Sequence, residues 1–324
     1  MKRPHVVISL GDFNGIGYEI ALKAMLQKSV QSLAEYTLVG SFEALATWKK
    51  VLGITMPLNF IEAAPKKSVR VTPGKITASA GAVAAHSIEI AAQMCLRGEA
   101  DVFVTAPIAK ESFHKAGVEF PGHTEMLQSL TRSKRVTMIL LSERMRVALV
   151  TIHRALKTVP GALTKKDILT KLGDLHQTLS IDFATAKPRI AVLGLNPHAS
   201  ENGMFGNEEK KIISPAISAA HKKKILAEGP FPADGFFARW TPLKYDAILA
   251  MYHDQGLIPL KMDARGGGVN FSANLPIVRT SPDHGTAFDI AGKNRADESS
   301  FIEAIKVGLQ IARNRKAHGE QFSF

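Results

Sequence analysis

A single cysteine, Cys95, is all that 324 residues contain. No internal disulfide can form, and a reducing compartment is the natural setting. Cys95 falls in a helical pattern with Ile88, Ala91 and Ala92 and reads as a small packing residue. Aromatic residues make up only 7% of the chain. No basic cluster is interleaved with them as a nucleic-acid stacking surface requires, and no zinc-finger or RRM signature occurs. Long apolar runs are missing too. The run from Val6 to Leu10 is too short for a signal peptide, and none is long enough to span a membrane. A cytoplasmic protein with no membrane and no nucleic-acid partner is expected. Internal repeats and low-complexity linkers are lacking, so domain boundaries leave no compositional trace. Acidic charge is the scarcer sign: 29 Asp and Glu stand against 41 Lys and Arg, a net charge of +12. The basic clusters "PKKSVR", "HKKK" and "ARNRKAH" read as solvated faces, and a basic cleft for an anionic metabolite accounts for the excess.

What is present is the pattern of a globular enzyme, 45% hydrophobic and 22% charged. The length favours two domains. Short β-rich runs alternate with helical patterns. The strands are "VVISL", "YTLVG", "DVFVTAP", "RVTMILLS", "RVALVTIH", "RIAVLGLN" and "DAILAMYH"; helices begin near Glu19, Phe42, Ala80, Lys165, Glu208 and Phe301. Ser300 with Glu303 reads as a capping box for the last. Such alternation predicts an α/β fold with mostly parallel sheets flanked by helices.

Three strands finish alike. "ALVTIH" ends in His153, "AVLGLNPH" leads to His198, and "AILAMYH" ends in His253. Ligands of open α/β sheets bind at the carboxyl ends of strands, and three imidazoles can hold one metal ion with a position left open. Each histidine taken singly reads as a polar loop residue. His123-Thr124, after a Pro-Gly turn, reads by itself as a helix start. Lys261, Asn270 and Arg279 surround Gly266 to Gly268; by themselves they read as a solvated loop, and together they would suit a phosphate or carboxylate. His284, Gly285 and Thr286 read as a turn entering a helix, with Asp289 one turn later. The opening loop, Gly11, Gly15 and Gly17 in "VVISLGDFNGIGYEI", has G-x-x-x-G-x-G spacing, unlike a Rossmann loop.

"HGTAFDIAGK" is similar to the cofactor segment "HGSAPDIAGK" of the isocitrate and isopropylmalate dehydrogenases. A closer resemblance is to one branch of that superfamily, the 4-hydroxythreonine-4-phosphate dehydrogenases of pyridoxal phosphate biosynthesis. It is carried by "GDFNGIGYEI", "TAPIAKESFHKAG", "PGHTEML", "TIHRAL", "GLNPHASENGMFGNEE", "MYHDQGLIPLK", "GVNF" and "LPIVRTSPDHGTAFDIAGK", which span nearly the whole chain.

The resemblance implies a homodimer of two-domain α/β subunits with the active site in the interdomain cleft near the subunit interface. The domains would be 1–125 plus about 285–324, and about 126–284 with most metal and substrate ligands. It implies a divalent metal (Zn, Mg or Co) on His153, His198 and His253, the last from the partner subunit. It turns His123, Thr124, Lys261, Asn270 and Arg279 into substrate contacts, and His284, Gly285 and Asp289 into cofactor contacts for NAD, with NADP as the other choice. The implied reaction is oxidation of the C3 hydroxyl of 4-phosphohydroxy-L-threonine with loss of CO2, giving 3-amino-2-oxopropyl phosphate. The metal-polarised hydroxyl itself, a water or His123 could serve in proton transfer. The alternatives are a dehydrogenase of erythronate or threonate 4-phosphate, and a three-histidine metallohydrolase, which would need no nicotinamide segment. One departure stands out. The family's first loop usually reads "GDPAGIGPE"; Phe13-Asn14 and Tyr18 replace its prolines here, and a looser loop is expected because fixed φ angles are lost.

Overall fold

The computed structural model describes residues 3–64, 68–240 and 244–319. Pro65, Lys66 and Lys67 of the first basic cluster therefore lie outside the described residues. The chain forms two compact units. The first runs to Val136 and resumes over Leu275–Ala312; the second is Thr137–Asn274 and, among the described residues, 313–319. The divisions fall at 136/137 and 274/275, inward of the expected 125 and 285. The reason is packing: Met126 and Leu127 of the helix His123–Leu130, with Leu275 and Ile277, sit in the core of the first unit.

The first unit holds β1 (His5–Ser9), β2 (Glu35–Gly40), β3 (Phe60–Glu62), β4 (Val102–Thr105) and β11 (Arg279–Pro282). Their order is β3-β2-β1-β4-β11, all parallel. Val6, Val7, Ile8, Val102, Phe103 and Val104 are fully buried, the continuous apolar runs of strands covered on both faces. Helix ends follow local chemistry. Ser41 caps Phe42–Leu52 by accepting from the Ala44 N–H, and Gly53 ends that helix at φ 67°. Gly81 lets the helix Ala78–Leu96 approach Lys110–Lys115, since a Cβ there would lie 2.0 Å from the Ser112 carbonyl oxygen. The thiol of Cys95 is pushed up in pKa by burial and packs against this core.

The second unit holds β5 (Thr137–Leu141), β6 (Arg146–Leu149), β7 (Arg189–Leu193), β8 (Leu226–Phe231), β9 (Ala247–Ala250) and β10 (Val269–Ala273). Their order is β10-β5-β6-β9-β7-β8. β5 is antiparallel to both β10 and β6, and β6, β9, β7 and β8 run parallel. The fold is thus α/β with a mostly parallel, mixed strand arrangement. The helix Lys165–Ile181 begins at Thr164, whose hydroxyl accepts from Asp167 N–H.

One expected cap is corrected. The last helix starts at Ser299, not Phe301. Ser300 lies inside it, its hydroxyl accepting from the Asp283 N–H, while Asp297 takes the N–H and hydroxyl of Ser299. An acceptor one turn earlier thus does the work expected of Ser300. Among the described residues no helix is long and apolar enough to cross a membrane.

Candidate active site

The three strands that precede the histidines are neighbours. β9 lies between β6 and β7, with Leu149 beside Ala250 and Val192 beside Leu249. Their carboxyl ends therefore emerge side by side. Two side chains tie these ends together. Thr151 donates its hydroxyl to the Met251 carbonyl at 2.8 Å. Gln255, buried, accepts from Met251 N–H at 2.7 Å and donates to the Gly194 carbonyl at 2.6 Å.

His153 and His253 come together with ring centroids 6.1 Å apart. His253 opens the helix His253–Ala264. Its Nδ1 lies 2.7 Å from the Asp254 carboxylate, the arrangement in which a carboxylate orients a histidine and leaves Nε2 as the nitrogen facing a metal. His198 stands apart, its ring 6.1 Å from Phe205. Among the described residues of this single chain, no three His, Cys, Asp or Glu gather closely enough to hold a metal ion. The donor chemistry of His153 and His253 fits a metal, and one chain brings two of the three histidines together.

His198 sits in unusual backbone. From His198 to Asn202 five successive residues have φ between 43° and 72°, followed by Gly203 at 102°. Left-handed backbone costs an L residue roughly 1–2 kcal/mol, so surrounding contacts must hold it. The buried Glu209 carboxylate accepts from the N–H groups of Leu195 and Asn196 at 2.7 and 2.8 Å and from Asn196 Nδ2 at 2.9 Å. Sequence reading missed this turn. His198 also borders a cavity of about 470 Å³ with Phe231, Phe236, Trp240 and Tyr245, which sequence reading missed as well.

In the first unit, Arg279 on β11 is buried and donates to the Thr105 hydroxyl from Nε at 3.1 Å and Nη2 at 2.5 Å. Burial pushes its pKa down to about 9, and it stays charged at neutral pH. His123 opens the helix His123–Leu130. Its pKa is held well below the usual 6.5, by burial first and by the positive charge of Arg279 second. The imidazole is therefore neutral at pH 7. His123 Nε2 is enclosed without a hydrogen-bond partner among the described residues. Neither His123 nor Thr124 caps its helix; Gly122 occupies the N-cap. In the second unit, Lys261 lies on the helix that His253 opens, and Asn270 lies on β10 with its Oδ1 enclosed and unpartnered among the described residues.

Between β11 and the last helix, His284 lies in a bend, Gly285 in irregular backbone and Asp289 in a run of turns. They do not enter a helix as expected, because the chain instead closes short turns such as Ile290 N–H to Ala287 carbonyl. The opening glycine loop packs against this segment. Ile16 N–H donates to the Thr286 carbonyl at 3.0 Å, and a Cβ on Gly15 would lie 2.9 Å from that oxygen. At the positions of the missing prolines the loop is held by other contacts. Phe13 and Tyr18 are fully buried. The Phe13 carbonyl accepts from Trp48 Nε1, Asn14 bonds Lys75, Thr77 and Thr72, and the Tyr18 hydroxyl accepts from Ser41 N–H. Side-chain hydrogen bonds replace ring constraint.

An α/β scaffold that sets histidines at neighbouring strand ends, with a buried arginine and a neutral histidine elsewhere, is that of an enzyme handling a polar anionic metabolite. The sequence model described as pyridoxal phosphate biosynthetic protein PdxA matches residues 19–308, and the chain belongs to the PdxA family. It is 43% identical over 328 residues to the 4-hydroxythreonine-4-phosphate dehydrogenase of Prosthecochloris aestuarii, covering 95% of this chain and 97% of the relative. It is 38% identical to the D-threonate 4-phosphate dehydrogenase of Salmonella typhimurium, covering 96% and 100%. Among solved structures, the 4-hydroxythreonine-4-phosphate dehydrogenase of Klebsiella pneumoniae superposes with a TM-score of 0.86 at 35% identity, covering 96% of this chain and 98% of that one. The chain is accordingly an oxidoreductase of pyridoxal phosphate biosynthesis that uses a nicotinamide cofactor and a small phosphorylated substrate.

Proposed function

We propose that this chain oxidises 4-phosphohydroxy-L-threonine at C3 with NAD as hydride acceptor, the product losing CO2 to give 3-amino-2-oxopropyl phosphate. The observation that carries the reading is the set of histidines at the ends of three adjacent parallel strands, His153, His253 and His198 in the order β6, β9, β7. They would hold a divalent metal, whose contribution when bound is Lewis-acid polarisation of the substrate hydroxyl. Zinc suits three imidazoles; magnesium and cobalt are the other candidates.

The remaining residues bind, orient and move protons. Arg279 and Lys261 anchor the substrate's anionic ends, a guanidinium and an ammonium being suited to phosphate and carboxylate. His123, Thr124 and Asn270 hold its polar groups. The enclosed Nε2 of His123 and Oδ1 of Asn270 favour this, since buried polar atoms ordinarily have partners. Neutral His123 is the candidate to accept the hydroxyl proton at Nε2. Anchoring at both ends fixes C3 against the nicotinamide and supplies the orientation that hydride transfer needs. His284, Gly285 and Asp289 are the proposed cofactor contacts.

A homodimer is proposed as the working form, with the histidine set completed by a second copy. Two observations support it. The three histidines do not converge within one chain. Large apolar side chains stand exposed a few residues after them in the chain: Leu156 at 67%, Met204 at 74%, and Ile258 and Met262, one helical turn apart, at 59% and 74%. The near approach of His253 to His153 bears on which copy gives which ligand, and the resemblance assigns His253 to the partner. Cytoplasmic location is proposed from the single, packed cysteine.

The test is NADH formation, read by absorbance, from purified protein with NAD, a divalent metal and 4-phosphohydroxy-L-threonine; NADP is run alongside. Absence of turnover in folded, dimeric protein refutes the reading. The 38% identity to a D-threonate 4-phosphate dehydrogenase supports a second reading on the same framework. Faster turnover of 4-phospho-D-threonate, or of 4-phosphoerythronate, would favour a phosphorylated sugar acid as substrate.

A further inference from the structure

We infer that Glu209 is a positioning residue whose carboxylate holds the left-handed turn presenting His198. The inference rests on the proposed metal-binding role of His198.

The turn begins two residues after the clamp. Glu209 Oε1 receives the N–H groups of Leu195 and Asn196, and Oε2 receives Asn196 Nδ2. Asn196 Nδ2 is shared with Glu208 Oε2, which also receives Asn207 N–H. A carboxylate taking several N–H groups makes the strong, charge-assisted class of hydrogen bond. Its burial means that removing it strands two backbone donors. From Asn196 the chain turns left-handed through His198–Asn202, closed by Ala199 N–H to the Asn196 carbonyl and Phe205 N–H to the Ser200 carbonyl.

Room for the clamp is built in. A Cβ on Gly194 would lie 3.1 Å from Ala199 Cα and 3.2 Å from Glu209 Oε1. A Cβ on Gly206 would lie 2.6 Å from both Asn196 Nδ2 and Glu208 Oε2, and its φ of 132° favours glycine. Both glycines make space for the two carboxylates and the turn they hold. None of the five left-handed residues is glycine, so the conformation is imposed from outside, and outliers of this kind concentrate at functional sites. Here the residue it displays is His198. With the clamp gone, the backbone relaxes toward right-handed or extended φ and carries the imidazole away.

The test is Co²⁺ binding to the full-length protein without NAD or substrate, read from the visible ligand-field band and by competition with a chromophoric chelator, with thermal melting in parallel. His198→Ala sets the floor. Glu209→Ala should weaken Co²⁺ binding by roughly 10- to 100-fold, the range for partners that orient metal ligands, and should alter the band. Glu209→Gln keeps one oxygen for both N–H groups and should recover affinity to within about threefold, since Asn196 Nδ2 still has Glu208. Glu209→Asp keeps the charge but falls short of the N–H groups. It should bind several-fold more weakly than wild type, and it stands in if the alanine variant does not fold. If the variants melt earlier yet bind Co²⁺ with wild-type affinity and spectrum, while His198→Ala does not, the positioning role is overturned and the metal reading stands. If wild type and His198→Ala bind alike, the metal reading fails and the inference fails with it.

Discussion

Gln255 and Gly194 are joined by a 2.6 Å hydrogen bond from side-chain amide to main-chain carbonyl. Through the second bond, from Met251 N–H to Gln255 Oε1, one side chain spans the ends of β9 and β7. It stands where the strand ladder stops and the histidine segments begin, so it continues the sheet by one more rung.

Gln255→Leu should therefore strand a buried carbonyl and a buried N–H. Each costs about 1–3 kcal/mol, so urea unfolding should show a loss of roughly 2–6 kcal/mol. Divalent metal binding by the folded fraction should weaken as well.

Arg279→Lys tests the anion site. A lysine offers no planar fork and cannot reproduce two donors on Thr105. The expected outcome is a rise in KM for the phosphorylated substrate of about 10- to 100-fold, equivalent to roughly 1.4–2.7 kcal/mol. An unchanged KM in steady-state kinetics would remove Arg279 from the binding set.

His123 makes stability depend on pH in a defined direction. Its folded-state pKa is depressed, so below the unfolded value near 6.5 the unfolded chain takes up a proton that the folded one refuses. Stability is lost as pH falls below about 6.5, by up to roughly 1.4 kcal/mol per pH unit, until the folded state also titrates. His123→Asn should flatten that part of the profile. Denaturant melts of both proteins from pH 7.5 to 5 measure the difference.

Asn14→Ala should release the segment around Thr72–Thr77 that its side chain ties to the opening loop. Asn14 receives Thr72 N–H and donates to Lys75 and Thr77, and it is fully buried. Amide exchange over residues 68–77 should rise at least tenfold, and stability should fall by about 2–3 kcal/mol.

Apolar continuity made the central strands legible. "VVIS", "VFVT", "RIAVL" and "AILA" are nearly all buried residues, and β1, β4, β7 and β9 lie where they read. β11 was hidden because "RTSP" is polar, and its burial is supported by Arg279 bonding Thr105 and Thr280 donating to the Ala304 carbonyl. β8 was hidden because Gly229 and Pro230 interrupt it. The histidine pattern at strand ends was visible, whereas the order β6-β9-β7 that makes those ends neighbours depends on pairings across a hundred residues. The turn at His198 had only a weak signal, Asn202-Gly203 at its end, because His198 to Glu201 are not residues that favour left-handed backbone and Glu209 lies further along the chain. At the first loop the sequence suggested slack, since the loss of a proline is visible while the bonds that Asn14 makes are not.

The middle position of β9 has a consequence for synthesis. On the ribosome β6 and β7 emerge first, and the slot between them stays empty until Ala247–Ala250 follows. β6 can pair with β5 and β7 with β8 before then, but neither pair can join the other without β9. A chain halted after β7 carries His153 and His198 but has no rung to set them side by side. Competence thus arrives abruptly, within a few dozen codons late in translation, and truncated products of this chain should be inert even when they keep most of its sequence.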